Sequence, residues 1–493
     1  MTGPAAVRRT SPRIVLVHTA TFRQARQLVP IAVPVLAGIG LGGGRWTVVA
    51  LVIAITLVSL GAAALSWWRF GYVDGPGAVV VTRGLVSRST RTVPTDRIRG
   101  VEVEAPPLHR LLGLVRVRID AAAGGAGSAG RGAATDEELL VDGVSRAEGE
   151  RLRTAVLTRR TSVPLRDDDV PRDSEPEQEF ARFDNRWLLY APLVGGYLAV
   201  PVAAVGALSR ILDELPDRLV PDVDGAALDT PLVAVIAVVV AVVVLAAGAV
   251  IGAAVVNWRF RLVRRGGSLI AVRGLLTRRH TELEIDRIRG VAVADGAGMR
   301  LVGAARVTCL VTGLGDAQRR GQLLPLGPRA EAEALGRRLV DDPGPLVPHP
   351  AGARRRRIAR AVAGGLLVTA TGAVLTVTSG WWPLLVVGVA LTALGVPLGL
   401  GRYASLGHAT GPRSFAVRVG WLVRERAVLE RRAVVGWRVT QTWAQRRAGL
   451  ASVVTCVGAG RGGYVALDIA AEDAAPFAVA ASEPWAERLL PTA

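Results

Sequence analysis

The apolar residues of this chain fall into six long runs, which come in three pairs. The runs occupy residues 28–41 and 46–65, 187–208 and 231–256, and 358–378 and 381–400. A membrane-spanning helix needs about 20 apolar residues, and five of the six runs reach that length. The first run is shorter and holds Pro30 and Pro34. The pattern predicts six transmembrane α-helices arranged as three hairpins.

The segments that follow the hairpins have a different pattern of apolar and polar residues. Short β-rich runs occur at residues 78–82, 85–93 and 98–103, and Gly84 lies between the first two. A helical pattern follows over residues 144–158, where Ser145 and Glu148 have the spacing of a capping box. Several strands followed by one helix predict a small β domain closed by a C-terminal helix.

The segment at residues 68–117 is repeated at 258–307 without a gap. Its centre, Asp96-Arg97-Ile98-Arg99-Gly100, returns as Asp286-Arg287-Ile288-Arg289-Gly290. A third and more divergent copy lies 336 residues after the first, with Arg432-Ala433-Val434-Val435-Gly436 at the centre. Such self-similarity marks one duplicated structural unit.

These patterns divide the chain into nine parts. We expect an N-terminal segment (1–27), hairpin 1 (28–66), β domain 1 (67–160), a linker (161–181), hairpin 2 (182–257), β domain 2 (258–340), a second linker (341–357), hairpin 3 (358–401) and β domain 3 (402–493).

The charge pattern predicts the orientation. The net charge is +19, and all 60 basic residues are arginine, in a composition typical of a GC-rich bacterium. Arginines flank the hairpins, as at Arg354-Arg355-Arg356-Arg357, whereas the connector inside hairpin 2 is acidic. Since arginine-rich flanks stay in the cytoplasm, we expect a multi-pass protein of the bacterial inner membrane with both termini and all three β domains cytoplasmic.

The sequence offers no catalytic constellation. The five histidines are scattered, and Cys309 and Cys456 are explained better as strand residues than as a redox pair. The glycine-rich run 458–463 favours a turn over a nucleotide site. We therefore predict no catalytic residue, no cofactor and no metal site. Nucleic acid is an unlikely partner, because the β domains carry few aromatic side chains for base stacking.

Four arginines remain as candidate contact residues, namely Arg97, Arg99, Arg287 and Arg289. Residues two apart on a strand share a face, so each pair is expected to point to one side. Such a face could contact anionic lipid headgroups or an acidic partner, and the alternative is a solvated strand face. The third copy has Ala433 and Val435 instead, so it should differ in this property.

Hairpin 1 is followed by an aromatic-arginine step, Trp68-Arg69-Phe70, and then by Gly84-Leu85, Val93-Pro94, Arg97-Ile98 and the run 111–117. In these residues the chain resembles bacterial membrane proteins with YdbS/YdbT-like PH domains. Three hairpin-plus-domain units are similar to the longer, YdbT-like members. The resemblance implies a PH-like fold for each β domain, a bent β-barrel closed by a C-terminal helix, and implies no catalytic residues.

These observations favour a non-enzymatic scaffold or interaction protein that presents PH-like domains at the membrane. Analogy suggests envelope stress protection or export as its process. Its expected partners are the lipid bilayer and either a shorter PH-domain membrane protein or a second copy of this chain. The alternative is a subunit of a transport or channel complex gated by its PH-like domains. The apolar runs lack internal charges, which disfavours an ion-coupled pathway.

Overall fold

The structure is a computed structural model that describes residues 7–20, 45–75, 77–84, 89–95, 98–121, 138–161, 178–214, 231–312 and 321–482. The chain forms two compact units. One comprises Met1–Phe180 with Arg259–Glu282, and the other comprises Ala181–Trp258 with Leu283–Ala493. The division therefore falls inside the second repeat.

Within the part of the chain that the structure describes, each repeat contributes six strands, and one further strand precedes the second repeat. The first repeat contains β1 (Gly71–Asp74), β2 (Ala78–Arg83), β3 (Ser89–Pro94), β4 (Ile98–Ala105), β5 (Leu114–Ala121) and β6 (Glu138–Ser145). Strand β7 (Gln178–Arg182) comes next, and the second repeat contains β8 (Arg261–Arg265), β9 (Ser268–Arg273), β10 (Arg278–Glu284), β11 (Ile288–Gly296), β12 (Ala304–Val311) and β13 (Gln322–Pro328). The third contains β14 (Gly407–Thr410), β15 (Ser414–Val419), β16 (Val423–Glu430), β17 (Val434–Thr440), β18 (Leu450–Val457) and β19 (Gly463–Ala470).

The described α-helices are either long and apolar or short and attached to a sheet. They are α1 (Ile14–Ala20), α2 (Arg45–Arg69), α3 (Pro107–Leu111), α4 (Arg146–Thr161), α5 (Gly195–Glu214), α6 (Pro231–Asn257), α7 (Ala297–Leu301), α8 (Arg329–Arg337), α9 (Ala351–Ser379), α10 (Pro383–Ala404), α11 (Trp443–Arg447) and α12 (Ala474–Ala480). Short 3-10 segments occupy Asn185–Leu193, Ile285–Arg287 and Arg431–Ala433.

The strand pairs whose register is described are antiparallel, and the strands build four sheets. In the first unit β1-β2-β3 form one sheet, and β6-β5-β4-β10-β9-β8-β7 form a second. In the other unit β13-β12-β11-β16-β15-β14 form a third sheet, and β17-β18-β19 form a fourth. Each repeat thus supplies two three-stranded meanders, and the described strands form open sheets. Closure of each repeat into a barrel stays a prediction.

The repeated motif marks the start of the second meander in each repeat. The strand register shifts at the same place in all three copies, between Ile98 and Gly100, Ile288 and Gly290, and Val434 and Gly436. This β-bulge adds one residue and sharpens the local twist. At Gly290 a Cβ atom would lie 2.5 Å from the carbonyl oxygen of Val428, so the glycine lets two strands approach closely.

The first and third repeats each have a buried apolar core formed by their strands and closing helix. In the first repeat Val79, Ile98, Val117 and Leu152 are fully buried in one cluster. Leu152 belongs to α4, which starts two residues later than the helical pattern in the sequence. The third repeat has a similar cluster in which Phe415 packs against Phe477 of α12.

Three described helices are long and apolar enough to cross a membrane, namely α6, α9 and α10. A fourth span is possible by the same measure if Asn185–Leu193 and residues 195–210, which meet at 71°, form one broken span. Helices α9 and α10 pack against each other through glycines. A Cβ atom at Gly372 would meet the backbone of Leu385, and one at Gly388 would meet that of Thr369. Small residues at such positions let membrane helices approach closely. The first apolar run, 28–41, lies outside the described residues.

Candidate interaction surface

Neighbouring repeats are joined by strand pairing at two junctions. At junction 1, β4 of the first repeat pairs with β10 of the second. At junction 2, β11 of the second repeat pairs with β16 of the third. In both cases one of the paired strands is the first strand of a repeat's second meander. The other is the last strand of the first meander in the next repeat. The edge that a PH-like unit would otherwise expose is thereby covered.

The two junctions have the same register. Residues 190 apart are equivalent in the first two repeats, and residues 336 apart are equivalent in the first and third. Ala105 faces Arg278 at junction 1, and the equivalent residues Asp295 and Arg424 face each other at junction 2. Because a one-residue slip would turn every side chain to the other face, a shared register indicates one common mode of association within this chain.

Junction 1 contains a buried carboxylate. The Glu104 side chain is 6% exposed, and its Oε1 lies 3.3 Å from Nε of Arg279 on the facing strand. Its Oε2 lies 3.9 Å from Nη2 of Arg118 on β5. The Thr281 hydroxyl of β10 donates to Oε1 of Glu102 at 3.4 Å. A buried carboxylate requires such partners, so these contacts link the strand pairing to matched charges.

Junction 2 also contains a buried carboxylate, and this one has more arginine partners. The Asp295 side chain is 5% exposed and accepts two hydrogen bonds from Arg424 of β16, at 3.1 and 2.8 Å. Arg300 and Arg329 also donate to it, at 3.4 and 3.2 Å. Fork-to-fork pairing between an arginine and a carboxylate adds directional specificity to the charge attraction. Three guanidinium groups therefore converge on one carboxylate at the strand junction.

A buried aspartate holds the third repeat to its membrane helix. Asp468 of β19 is fully buried, and it accepts hydrogen bonds from Arg356 and from Arg357, both in α9. The Gln445 amide also donates to it at 2.7 Å. Two arginines of the basic flank thus make a specific structural contact with the third repeat.

The first repeat holds the N-terminal helix α1 in a comparable way. Asp142 of β6 lies 2.7 Å from Nε2 of His109 and 3.4 Å from Nε2 of His18 in α1. Arg116 donates to both of its oxygens at 3.1 Å. Burial alone would raise the pKa of the Asp142 carboxyl, but these hydrogen bonds and the Arg116 charge lower it well below its usual range. The carboxylate is therefore ionised wherever the repeat is folded at neutral pH.

The side chains of two of the four candidate arginines, Arg287 and Arg289, are described in the structure. Arg97 lies outside the described residues, and of Arg99 only the backbone, in β4, is described. Arg287 lies in the 3-10 segment with its Nε 2.8 Å from the Glu284 carboxylate. Arg289 is the second residue of β11. Its Nη1 donates to the Asp286 carbonyl at 2.7 Å and lies 3.8 Å from the Glu430 carboxylate.

The second repeat therefore does not place its two arginines on one strand face, and that expectation is wrong there. The 3-10 turn before β11 breaks the two-residue alternation that the strand pattern assumed. Both guanidinium groups lie close to acidic groups of this chain. Contact of the four arginines with lipid or with an acidic partner stays a prediction.

The sequence reasoning missed the buried carboxylates. Glu102, Glu104, Asp295 and Asp468 are buried, the Asp142 side chain is 10% exposed, and all five are bound by donors in other elements. A signal was present in the acidic residues inside the otherwise apolar strand patterns at 98–105 and 463–470. Charged residues are rarely buried without partners, so each of these positions indicates a specific contact.

The glycine-rich run 458–463 forms the connection between β18 and β19. Gly460 and Gly462 have φ values of 61° and 76°, which a turn with left-handed residues requires. The run borders a shallow cleft together with Tyr464, Arg306 and Glu425. Arg461 spans the cleft edge and binds Glu425 at 2.6 Å. Among the residues that the structure describes, no group of three or more His, Cys, Asp or Glu could hold a metal ion.

Comparison with known proteins identifies the family. The model for the bacterial PH domain matches three segments, residues 20–160, 215–342 and 362–482, which together make up most of the chain. A curated relative, the UPF0699 transmembrane protein YdbT of Bacillus subtilis (strain 168), is 24% identical over 299 residues.

That match covers 58% of this chain and 59% of the relative, so the chain spans about three fifths of the relative's length. No solved structure matches the chain. The three matched segments coincide with the three repeats, and each ends near the end of a repeat's second meander and closing helix. The chain therefore belongs to the bacterial PH domain family and is a transmembrane protein that carries three PH domain segments.

Proposed function

We propose that this chain is a non-enzymatic scaffold that presents three PH-like domains in series at the cytoplasmic face of a bacterial inner membrane. The observation that carries the proposal is the pair of junctions with one register, supported by buried ion pairs. Such pairing holds successive domains in fixed order beside the bilayer. Domains tethered together raise the effective concentration of a second contact once a first has formed.

The proposed topology has six transmembrane helices in three hairpins, with both termini in the cytoplasm and each PH-like domain closed as a bent barrel. Supporting it are the three apolar helices, the bent fourth segment and the basic flanks that are bound to the third domain. Reporter fusions at Asp222 and after Ala493 test this arrangement. We expect a periplasmic signal for Asp222 and a cytoplasmic signal for Ala493, and signals from the same side would overturn it.

The proposed partners are a shorter PH-domain membrane protein or a second copy of this chain, with anionic lipid headgroups as additional contacts. Envelope stress protection or export is the process that the analogy favours. Chemical cross-linking in native membranes tests the scaffold. A defined protein partner should be recovered with the full chain and lost when surface residues of the soluble domains are changed; recovery of lipid alone contradicts the proposal.

The alternative is a subunit of a transport or channel complex gated by the PH-like domains. Its test is solute flux through proteoliposomes that contain the full chain, with empty vesicles as the control. Flux above that control would favour the alternative. No flux, together with a protein partner bound through the soluble domains, favours the scaffold.

A further inference from the structure

Strand β17 has the position of a junction strand but has no second partner among the described residues. It is equivalent to β4 and β11, each of which pairs with strands on both sides. Within the described part of the chain β17 pairs with β18 alone, at the edge of its three-stranded sheet. Its bulge between Val434 and Gly436 matches those of the other two strands. The backbone shape that accepts a neighbour at both junctions is thus retained.

Apart from the charged Arg438 and the polar Thr440, the exposed side chains of β17 are apolar. Val439 is 50% exposed, whereas its equivalent Val103 in junction 1 is 6% exposed. Val435 is 75% exposed, where the first two repeats have arginine. Trp443, which begins the helix after the strand, is 72% exposed. Edge strands that stay unpaired are normally protected by charge, proline or short length, and β17 lacks a proline and is seven residues long.

The register of the two junctions identifies which strand would pair with β17. Within this chain the equivalent of β10 and β16 is β3, which lies at the edge of its own sheet. In the shared register Arg438 of β17 would face Arg91 of β3 from a second copy. Like charges directly opposite each other destabilise a strand pair. In addition, β3 ends in Pro94, a residue that protects an edge because it has no N–H to donate.

The charged residues at the two internal junctions indicate which kind of strand would pair with β17. Each places a buried carboxylate against an arginine of the facing strand, Glu104 with Arg279 and Asp295 with Arg424. On β17 the charge is reversed, because Arg438 stands where the first repeat has Glu102. The complementary strand therefore carries an acidic residue at the position that Thr281 occupies in β10.

We propose that β17 is a docking edge for the equivalent strand of a PH-like domain in a different polypeptide. That strand, the last of its own first meander, adds antiparallel to β17 in the register of junctions 1 and 2 and places a carboxylate opposite Arg438. Main-chain hydrogen bonds give such strand addition its affinity, and the facing side chains give it specificity. This inference rests on the proposed scaffold function and names its contact surface.

Site-specific photo-cross-linking of the full chain in native membranes tests the proposal. The photoreactive residue replaces Val439, and a matched control replaces Val347, which is 51% exposed in the segment between α8 and α9. We expect Val439, and not Val347, to yield a cross-linked peptide that mass spectrometry assigns to the third strand of a PH-like domain in another polypeptide. A peptide from β3 of a second copy, a peptide from residues 483–493, a lipid adduct or the absence of a product would each overturn the proposal.

Charge reversal at Arg438 tests the register separately. Arg438 is exposed in the described structure, so Arg438→Glu should leave thermal unfolding of the full chain unchanged. The yield of the Val439 cross-link should fall about fivefold, since an attractive cross-strand pair becomes a repulsive one. An undiminished yield would overturn the proposed register.

Probes elsewhere on the soluble domains separate this inference from the scaffold function. If such probes recover a protein partner while Val439 recovers none, the scaffold stands and β17 is not its contact. If no position on the soluble domains recovers a protein, both proposals fail.

Discussion

The Asp295 carboxylate receives two hydrogen bonds from the Arg424 guanidinium across junction 2, from Nε to Oδ1 at 3.1 Å and from Nη2 to Oδ2 at 2.8 Å. The two residues face each other in the strand register, 129 residues apart in the chain. The same carboxylate binds Arg300 and Arg329, which lie beside it on the second repeat. One side chain thus joins two repeats and forms ion pairs with arginines of both.

Replacing Asp295 by alanine should destabilise the chain by about 3 kcal/mol, because removing one partner leaves buried charges without compensation. Arg424→Ala should cost less, since Asp295 retains two arginines. The measurement is thermal unfolding of the purified full chain in detergent.

The matched control for Asp295 is Asp341→Ala. Asp341 pairs with Arg413 on the surface, with side chains 59% and 83% exposed. Exposed pairs contribute little, so a shift below about 0.5 kcal/mol is expected. Equal losses for the two aspartate variants would contradict the structural role of the junction.

Gly290→Ala should weaken junction 2, because the added methyl group would lie 2.5 Å from the carbonyl oxygen of Val428. Overpacking of this kind costs about 2 kcal/mol. At the equivalent Gly436 on the open edge, no atom lies within 4 Å of the position that a Cβ atom would take, so Gly436→Ala is the control and should be neutral. Hydrogen exchange of the β11 and β16 amides measures the effect. Similar protection in both variants would show that close strand approach is not what the glycine provides.

His349 should make the third repeat sensitive to acid. Burial, together with the neighbouring His408, lowers the pKa of His349 to about 4 from an ordinary value of 6.5. Below pH 6.5 the unfolded chain gains a proton that the folded chain excludes, so stability decreases as pH falls and the loss is complete near pH 4. By pH 5 the loss of folding free energy due to this histidine is about 2 kcal/mol.

A His349→Phe variant should lose less stability than the parent chain between pH 7 and pH 5. Thermal unfolding at the two pH values measures this difference. The acidic groups with lowered pKa values, Asp142 and Glu148, lose their contribution only below their unfolded pKa values near 4, so they do not confound this window. A His349→Phe variant with the same pH dependence as the parent would refute the assignment.

Lipid contact by the candidate arginines should be unequal between the repeats. Arg287 and Arg289 lie close to Glu284 and Glu430, so Arg287→Ala with Arg289→Ala should change lipid contact little. Arg97→Ala with Arg99→Ala should weaken contact with anionic lipid by about 1 kcal/mol per residue if these side chains reach the headgroups.

Full chain in nanodiscs tests this inequality. Hydrogen exchange of residues 98–100 is compared between phosphatidylcholine discs and discs that also contain phosphatidylglycerol. We expect protection in the anionic discs that the Arg97/Arg99 double variant loses. Arg337→Ala with Arg338→Ala, on the surface near the end of α8, is the charge-matched control. No dependence on phosphatidylglycerol in the parent chain would rule out the contact.

The amino-acid pattern alone determined the membrane character, the threefold repeat and the order of strands before a closing helix. These properties follow from the local sequence. Long apolar runs indicate membrane-spanning helices. Gly84 and its equivalents Gly274 and Gly420 adopt positive φ values between strands, which glycine allows. The spacing of the repeats also fixes which residues are equivalent, so the bulge before Gly100 recurs before Gly290 and Gly436.

Tertiary structure decided how the repeats are joined. Backbone N–H and C=O groups on a strand edge are the same in every sequence, so no local pattern states that β4 accepts β10 or that β11 accepts β16. The carboxylates that select these pairs find their arginines far along the chain, as Asp295 finds Arg424 and Asp468 finds Arg357. In the sequence those acidic residues interrupt a strand pattern, and only the folded chain provides the buried cation that makes each interruption stable.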